Sequence, residues 1–223
     1  MKKRILLFVL LLTSGVATFG QRFNYGVHVG MNVSGYQGGD AYRIYDESAK
    51  VGAEIGGDIS YRLTSHLLLL SGLNLSQYGG KFSVMSPYVG VTSAQITEFK
   101  EVNTQTLSFE LPIKVGYEFN MGHNFSIIPS IGMFGRYAVA SLKGDVVSAD
   151  GLSQKWHTTT DYDQDYHHID AFKRWDYGAE CGIDFRFARH YSVSASYKHG
   201  LKSLQPQYNL KSNAFSLSVG YVW

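Results

Sequence analysis

From Phe23 to the C-terminus the chain alternates apolar and polar residues with a period of two, and this strand signature constrains the fold more than any other feature. Phe23, Tyr25, Val27, Val29, Met31 and Val33 alternate with Asn24, Gly26, His28, Gly30, Asn32 and Ser34. Ala49, Val51, Ala53, Ile55, Ile59 and Tyr61 oppose Glu54, Gly56, Asp58 and Ser60. Residues 67–77 are a weaker case, because Leu68 and Leu70 intrude on the polar face. Leu107, Phe109, Leu111, Ile113, Val115, Tyr117 and Phe119 face away from Ser108, Glu110, Pro112, Lys114, Gly116 and Glu118. Residues 125–139 follow, with Ser126, Ser130, Gly132 and Arg136 on their polar face. Trp175 to Phe187, Tyr191 to Tyr197 and Phe215 to Trp223 complete the set.

The connections alternate as well. Tight turns are expected at 62–66, 120–124 and 188–190, and long polar loops at 35–48, 79–104, 142–173 and 199–212. Eight strands joined this way predict an all-β, eight-stranded antiparallel up-and-down barrel with both termini at the short-turn end. That layout belongs to transmembrane barrels with short periplasmic turns and long extracellular loops.

The composition of the two faces decides the orientation. In a soluble, ligand-carrying barrel, the rival class, the apolar set fills the interior. Here the apolar set is large, continuous and aromatic-capped, while the polar set is rich in Gly and Ser. Eight strands enclose a space just wide enough for side chains, which suits small residues inside and large ones against lipid. The 24 glycines and the mean hydropathy of -0.12 then follow from two interleaved populations. The polar face carries seven acids, Glu54, Asp58, Glu110, Glu118, Asp176, Glu180 and Asp184, and six bases, Arg62, Lys114, Arg136, Arg174, Arg186 and Lys198. Confined charges of opposite sign should pair, so a salt-bridged lumen without an open pore is expected. Aromatic residues at the strand ends, among them Phe23, Tyr61, Phe125, Tyr221 and Trp223 at one end and Tyr36, Tyr137 and Trp175 at the other, are expected to form interfacial girdles.

The N-terminus reads differently. Lys2, Lys3 and Arg4 precede an unbroken apolar run from Ile5 to Leu12 and then small residues to Gly20, the pattern of a secretory signal peptide over residues 1–20. Residues 21–223 then form the barrel domain. Without those three cations the 20 basic residues fall to 17 against 18 acidic ones, so charge gives no reason to expect nucleic-acid binding.

Phe109-Glu110-Leu111-Pro112-Ile113 resembles the (L/F)-E-(I/L)-P strand of PorT-like outer-membrane β-barrel proteins, as does Asp176-Tyr177-Gly178-Ala179-Glu180-Cys181-Gly182. The terminal strand with Phe215, Leu217, Val219, Tyr221 and Trp223 resembles the C-terminal signal read by the outer-membrane assembly machinery. The resemblance implies export through the general secretion pathway, insertion as a multi-pass protein of the bacterial outer membrane, and a part in export or envelope assembly. Pro112, which removes a ladder hydrogen bond, is expected to sit at a bulge.

Chemistry-bearing residues are sparse. Asp161, Asp163 and Asp165 have the spacing of a calcium loop's first ligands, but Tyr166 and Phe172 stand where Gly and Glu are required. With His167 and His168 they are weak metal candidates only. His199, beside Lys198 near the long loops, could be assembled with Ser141 and the loop histidines into a lipid-modifying site at the outer rim, but no spacing specifies one. His28 reads as a hydrogen-bonding lumen residue, and Cys181 as a lipid-facing thiol. No cofactor motif is present. The expected protein is a monomeric, non-enzymatic scaffold in contact with outer-membrane lipid, whose loops meet an external protein or surface ligand.

Overall fold

The computed structural model describes residues 23–38, 44–88, 96–122, 124–139, 143–149, 155–159, 172–188, 190–204 and 209–223. The expected signal peptide at 1–20 and the metal candidates Asp161, Asp163, Asp165, His167 and His168 lie outside the described residues.

Eight strands close into an antiparallel up-and-down barrel: β1 (Phe23–Gln37), β2 (Ile44–Arg62), β3 (Leu67–Tyr88), β4 (Ile96–Tyr117), β6 (Phe125–Ala138), β9 (Trp175–Phe187), β10 (Tyr191–Gly200) and β11 (Lys211–Val222). Each pairs with its neighbour in this order, β4 meeting β6, and the β1–β11 ladder from Gly26↔Val222 to Gln37↔Lys211 shuts the ring. Among the described residues each of the eight strands is paired on both sides, the condition a lipid environment would impose. Three shorter strands accompany these eight among the described residues. β5 (Phe119–Asn120) continues β4 along β6 in the same register, so it extends the ring and only the other two stand outside it, where β7 (Lys143–Ala149) and β8 (Lys155–Thr159) form a hairpin. β7 pairs with the outer part of β4, from Phe99↔Ala149 to Gln105↔Lys143.

Two stretches expected as loops are therefore mostly strand. β3 and β4 stay paired out to Tyr88↔Ile96, and β2 begins at Ile44. The register of β2 against β3 slips between Tyr45 and Ser48, and again between Ala49 and Glu54, which marks irregularities in β2. Pro112 does not sit at a bulge, contrary to expectation. The β3–β4 register is the same on both sides of it, from Ser71↔Ile113 to Asn74↔Glu110, and the intervening pairs are simply missing. The ladder to β6 runs on unbroken through Pro112↔Phe134, so the absent amide hydrogen costs contacts on one side only. Ser71 Oγ compensates locally by donating to the Pro112 carbonyl at 2.8 Å.

The faces have the orientation that the alternation implies. Val29, Met31, Ile55, Ile131 and Val219 are among the exposed large apolar residues, while Ser34, Ser108, Glu110 and Asp176 are buried. A soluble fold would invert this arrangement. Aromatic rings meet at the short-turn end, in Phe23–Tyr61, Tyr117–Phe119, Phe125–Phe187 and Tyr191–Tyr221–Trp223, and at the other end in Tyr137–Trp175. Tyr36 is a correction: it shares the phase of Asn32 and Ser34, so it is buried in the lumen instead of facing outward. Cys181 is exposed on the outer face.

At two inward-facing glycines the neighbouring backbone leaves no room for a methyl group. A Cβ on Gly132 would lie 2.1 Å from the Ile113 carbonyl oxygen, and one on Gly178 would lie 2.0 Å from that of His199. Both obstacles are backbone. Gly132→Ala and Gly178→Ala are expected to destabilise the barrel by about 1–3 kcal/mol or more. Gly135→Ala, which meets nothing within 4 Å, should be near neutral. Urea unfolding of the three variants in the same detergent checks the contrast.

Candidate functional site

The lumen is layered. Its outer end is covered by a small apolar cap: Phe172, Leu204 and Leu210 are buried, and Leu204 is fixed by backbone bonds to Lys173 at 2.9 Å and to Leu210 at 2.8 Å. Tyr36 lies under this cap, with its ring 5.8 Å from those of both Phe172 and Tyr78. Thr104 Oγ1 donates to the Tyr36 hydroxyl at 2.8 Å. The Tyr78 hydroxyl donates to the carbonyl oxygens of Gly35 at 2.5 Å and Asn213 at 3.1 Å, tying β3 to β1 and β11 across the interior. The cap is not legible in the sequence, because Leu204 and Leu210 each stand between polar residues.

Beneath the cap lies a charged layer centred on Arg136. Glu110, Arg136 and Asp176 are direct cross-strand neighbours on β4, β6 and β9. Arg136 Nη2 and Nε donate to Glu110 Oε2 at 2.8 and 3.1 Å, and Nη1 reaches Asp176 Oδ2 at 3.4 Å. Its guanidinium stacks 4.2 Å from the Tyr78 ring centroid and 5.0 Å from that of Phe134. Lys198 Nζ donates to Glu110 Oε1, and Ser212 Oγ to Asp176 Oδ2 at 2.5 Å. Two acids and two bases thus pair with one another in a buried layer, which leaves Asp176 Oδ1 without a hydrogen-bond partner.

The remaining polar-face charges lie lower. Lys114 Nζ donates to Glu180 Oε1 at 3.1 Å, and Ser216 Oγ to Glu54 Oε2 at 3.0 Å. His28 Nδ1 meets Asp58 Oδ2 at 2.7 Å. Arg62 pairs with Glu118 at 2.6 Å beside the short turns. Asp184 and Arg186 line a cavity of about 80 Å³ in this lower half. Arg174 stands half-buried at the outer end of β9, where its carbonyl accepts from the Ala138 amide at 3.0 Å. Leu68 and Leu70, which blurred the alternation of β3, pack with Ile128 into a buried apolar cluster inside the lower lumen.

Among the described residues no group of three or more His, Cys, Asp or Glu side chains could hold a metal ion. His199 borders a recess of about 220 Å³ at the outer rim with Gln37, Asn209 and Lys211, while Ser141 lies outside the described residues. The C-terminal residues Phe215, Leu217, Val219 and Tyr221 occupy the outward face of β11 and Trp223 follows it, with Phe215, Leu217, Val219 and Trp223 among the exposed large apolar residues.

The family model described as outer membrane protein beta-barrel domain matches residues 15–205. No curated protein matches the chain. Among solved structures, the chain is similar to Ail, the attachment invasion locus protein of Yersinia pestis, at 13% identity and a TM-score of 0.40 over 91% of this chain and 99% of that one. It is similar to Neisserial surface protein A at 11% identity and a TM-score of 0.43 over 88% and 96%. A third likeness, to the outer membrane enzyme PagL, has 13% identity and a TM-score of 0.41 over 85% and 97%.

Proposed function

The chain belongs to the outer membrane protein beta-barrel domain family, and from that premise we propose that it is a sealed, monomeric anchor whose external strands and loops present a binding surface. The family places it in the bacterial outer membrane. The aromatic clusters at the two ends of the barrel then read as girdles at the two interfaces. Export through the general secretion pathway and insertion by the assembly machinery are part of the same reading.

One observation carries the sealed lumen: Arg136, Glu110, Lys198 and Asp176 form a neutral, mutually bonded layer in the interior, with the Phe172–Leu204–Leu210 cap above it. The bonds among these four side chains across the interior support a lumen closed at this level. The same layer supplies a structural reason for the Phe109–Ile113 motif, whose Glu110 receives both Arg136 and Lys198. A PorT-type role in export or envelope assembly rests on the resemblance of that strand, and a catalytic role is not part of the proposal.

Single-channel recording in planar bilayers tests the seal. The native protein is expected to show no steady conductance of porin size. Such a conductance would overturn the sealed-anchor reading.

A further inference from the structure

At the outer rim, the outward face of three adjoining strands changes character from one rung of the ladder to the next. Lys198 on β10 and Ser212 on β11 reach inward to Glu110 and Asp176, and Tyr36 on β1 is buried in the lumen. By alternation, His199, Lys211, Asn213 and Gln37 therefore point outward. The rung below them is Tyr197, Phe215 and Val33, cross-strand neighbours and all exposed. The next rung is His199, Asn213 and Gly35, and above it Lys211 stands opposite Gln37. An apolar outer wall thus gives way at one level to amides and cations.

These side chains border an open recess. Gln37, Gly38, His199, Asn209 and Lys211 line its 220 Å³, several times the roughly 30 Å³ that one water molecule occupies in the liquid. None of the lining residues is acidic. Among the described residues, neither Lys211 nor His199 has a hydrogen-bond or ion-pair partner for its side chain. The lumen cations Arg62, Lys114, Arg136 and Lys198, by contrast, are each bound to an acid. Lys211 brings a positive charge and three N–H donors, Gln37 and Asn209 bring an amide each, and His199 brings at least one ring N–H. The complement is a compact anion with several acceptor oxygens.

Position selects the kind of anion. With the long-loop end outward, as the anchor reading has it, the recess lies directly above side chains that meet acyl chains. A lipid joins an anionic headgroup to apolar chains in that order, and basic recesses at the membrane boundary recognise such headgroups. We propose that the recess holds the phosphate headgroup of an outer-leaflet lipid, with Lys211 supplying the charge, His199, Gln37 and Asn209 supplying hydrogen bonds, and the acyl chains lying on Tyr197 and Phe215. The site rests on the outward orientation of the long-loop end, and the two readings fail separately. A porin-sized conductance would break the seal without touching the recess, and an empty recess would leave the seal intact.

The probe is dihexanoylphosphatidic acid, titrated at fixed pH into the full chain refolded in dodecylmaltoside while the histidine Cε1–H resonances are followed by NMR. Dihexanoylphosphatidylcholine has the same chains but a phosphate masked by choline, and inorganic phosphate has no chains. Phosphatidic acid should shift the His199 resonance saturably, and phosphatidylcholine should not. His66 and His190, exposed at the short-turn end, should not follow it. Inorganic phosphate should need a concentration about tenfold or more higher, for lack of chains to bury against Tyr197 and Phe215. Lys211→Ala should weaken binding about tenfold or more through loss of one charge-assisted hydrogen bond. Lys173→Ala removes an exposed cation at the same end outside the recess and should leave binding unchanged. No saturable shift, equal shifts with the two lipids, or equal shifts of all three histidines would overturn the proposal. Equal potency of inorganic phosphate would show a free-anion site and overturn it as well. The comparison of the three probes on the native chain decides the matter even if a variant does not fold.

Discussion

Arg136→Ala is expected to destabilise the barrel by about 3–5 kcal/mol, the cost of breaking a buried ion pair from one side. The side chain is 5% exposed, and its loss strands Glu110 and Asp176 in the interior. Lys198 still neutralises one end of Glu110, and Ser212 still donates to Asp176, but neither replaces the guanidinium fork. Contact with the Tyr78 and Phe134 rings is lost as well. Arg136→Lys should recover little, because a single ammonium cannot bind Glu110 twice, reach Asp176 and stack on Tyr78 together. The double variant Arg136→Met/Glu110→Gln leaves Lys198 and Asp176 with opposite charges. It should therefore cost about 1–3 kcal/mol less than the sum of its single substitutions. Urea unfolding of the native chain, Arg136→Met, Glu110→Gln and the double variant in one detergent gives the cycle, and Arg136→Ala and Arg136→Lys are measured beside them. A cost below about 1 kcal/mol for Arg136→Ala, the range of exposed pairs, would show that the layer is solvated and would remove the physical basis of the seal.

Most of the barrel was legible because lipid outside and a polar, crowded space inside impose opposite demands on successive residues. Where that contrast ends, so does the signal. The outer parts of β3 and β4 pair as far as Tyr88↔Ile96, and β7 and β8 form a further hairpin, yet residues 79–104 and 142–173 show no clean alternation. Backbone pairing alone imposes no period on the sequence. The site was legible to a different depth. Alternation identifies residues on the polar face, but it does not choose partners among them. Lys198 has Glu180 as its cross-strand neighbour, yet its ammonium binds Glu110, two strands further round. Leu68 and Leu70 look like noise on a polar face, and they are two of the three residues of an apolar cluster that needs Ile128 from another strand. Tyr36 was misplaced by its type, since an aromatic at a strand end suggests an interface, while its phase with Asn32 and Ser34 correctly points inward.

Val29→Arg is the complementary test, because it probes the outer face where no polar group is available. Val29 is 56% exposed at the middle of β1, and its cross-strand neighbours Ile55 and Val219 are 59% and 55% exposed. In water such a substitution belongs to the surface class, worth within about 0.5 kcal/mol either way. In a bilayer the guanidinium stands among hydrocarbon chains on every side, and arginine at the midplane of an outer-membrane barrel costs about 2–4 kcal/mol. The two environments therefore predict different results for one residue whose protein contacts are the same in both. The measurement is reversible unfolding from phospholipid vesicles, with Val219→Arg as a second site at the same level of the adjoining strand. A loss of about 2–4 kcal/mol at both positions is expected. Neutral behaviour at both would mean that the apolar belt is not the lipid-facing surface. Because Val29 and Val219 share no partner with Arg136, this outcome is independent of the lumen, so failure of the belt and failure of the seal can be told apart.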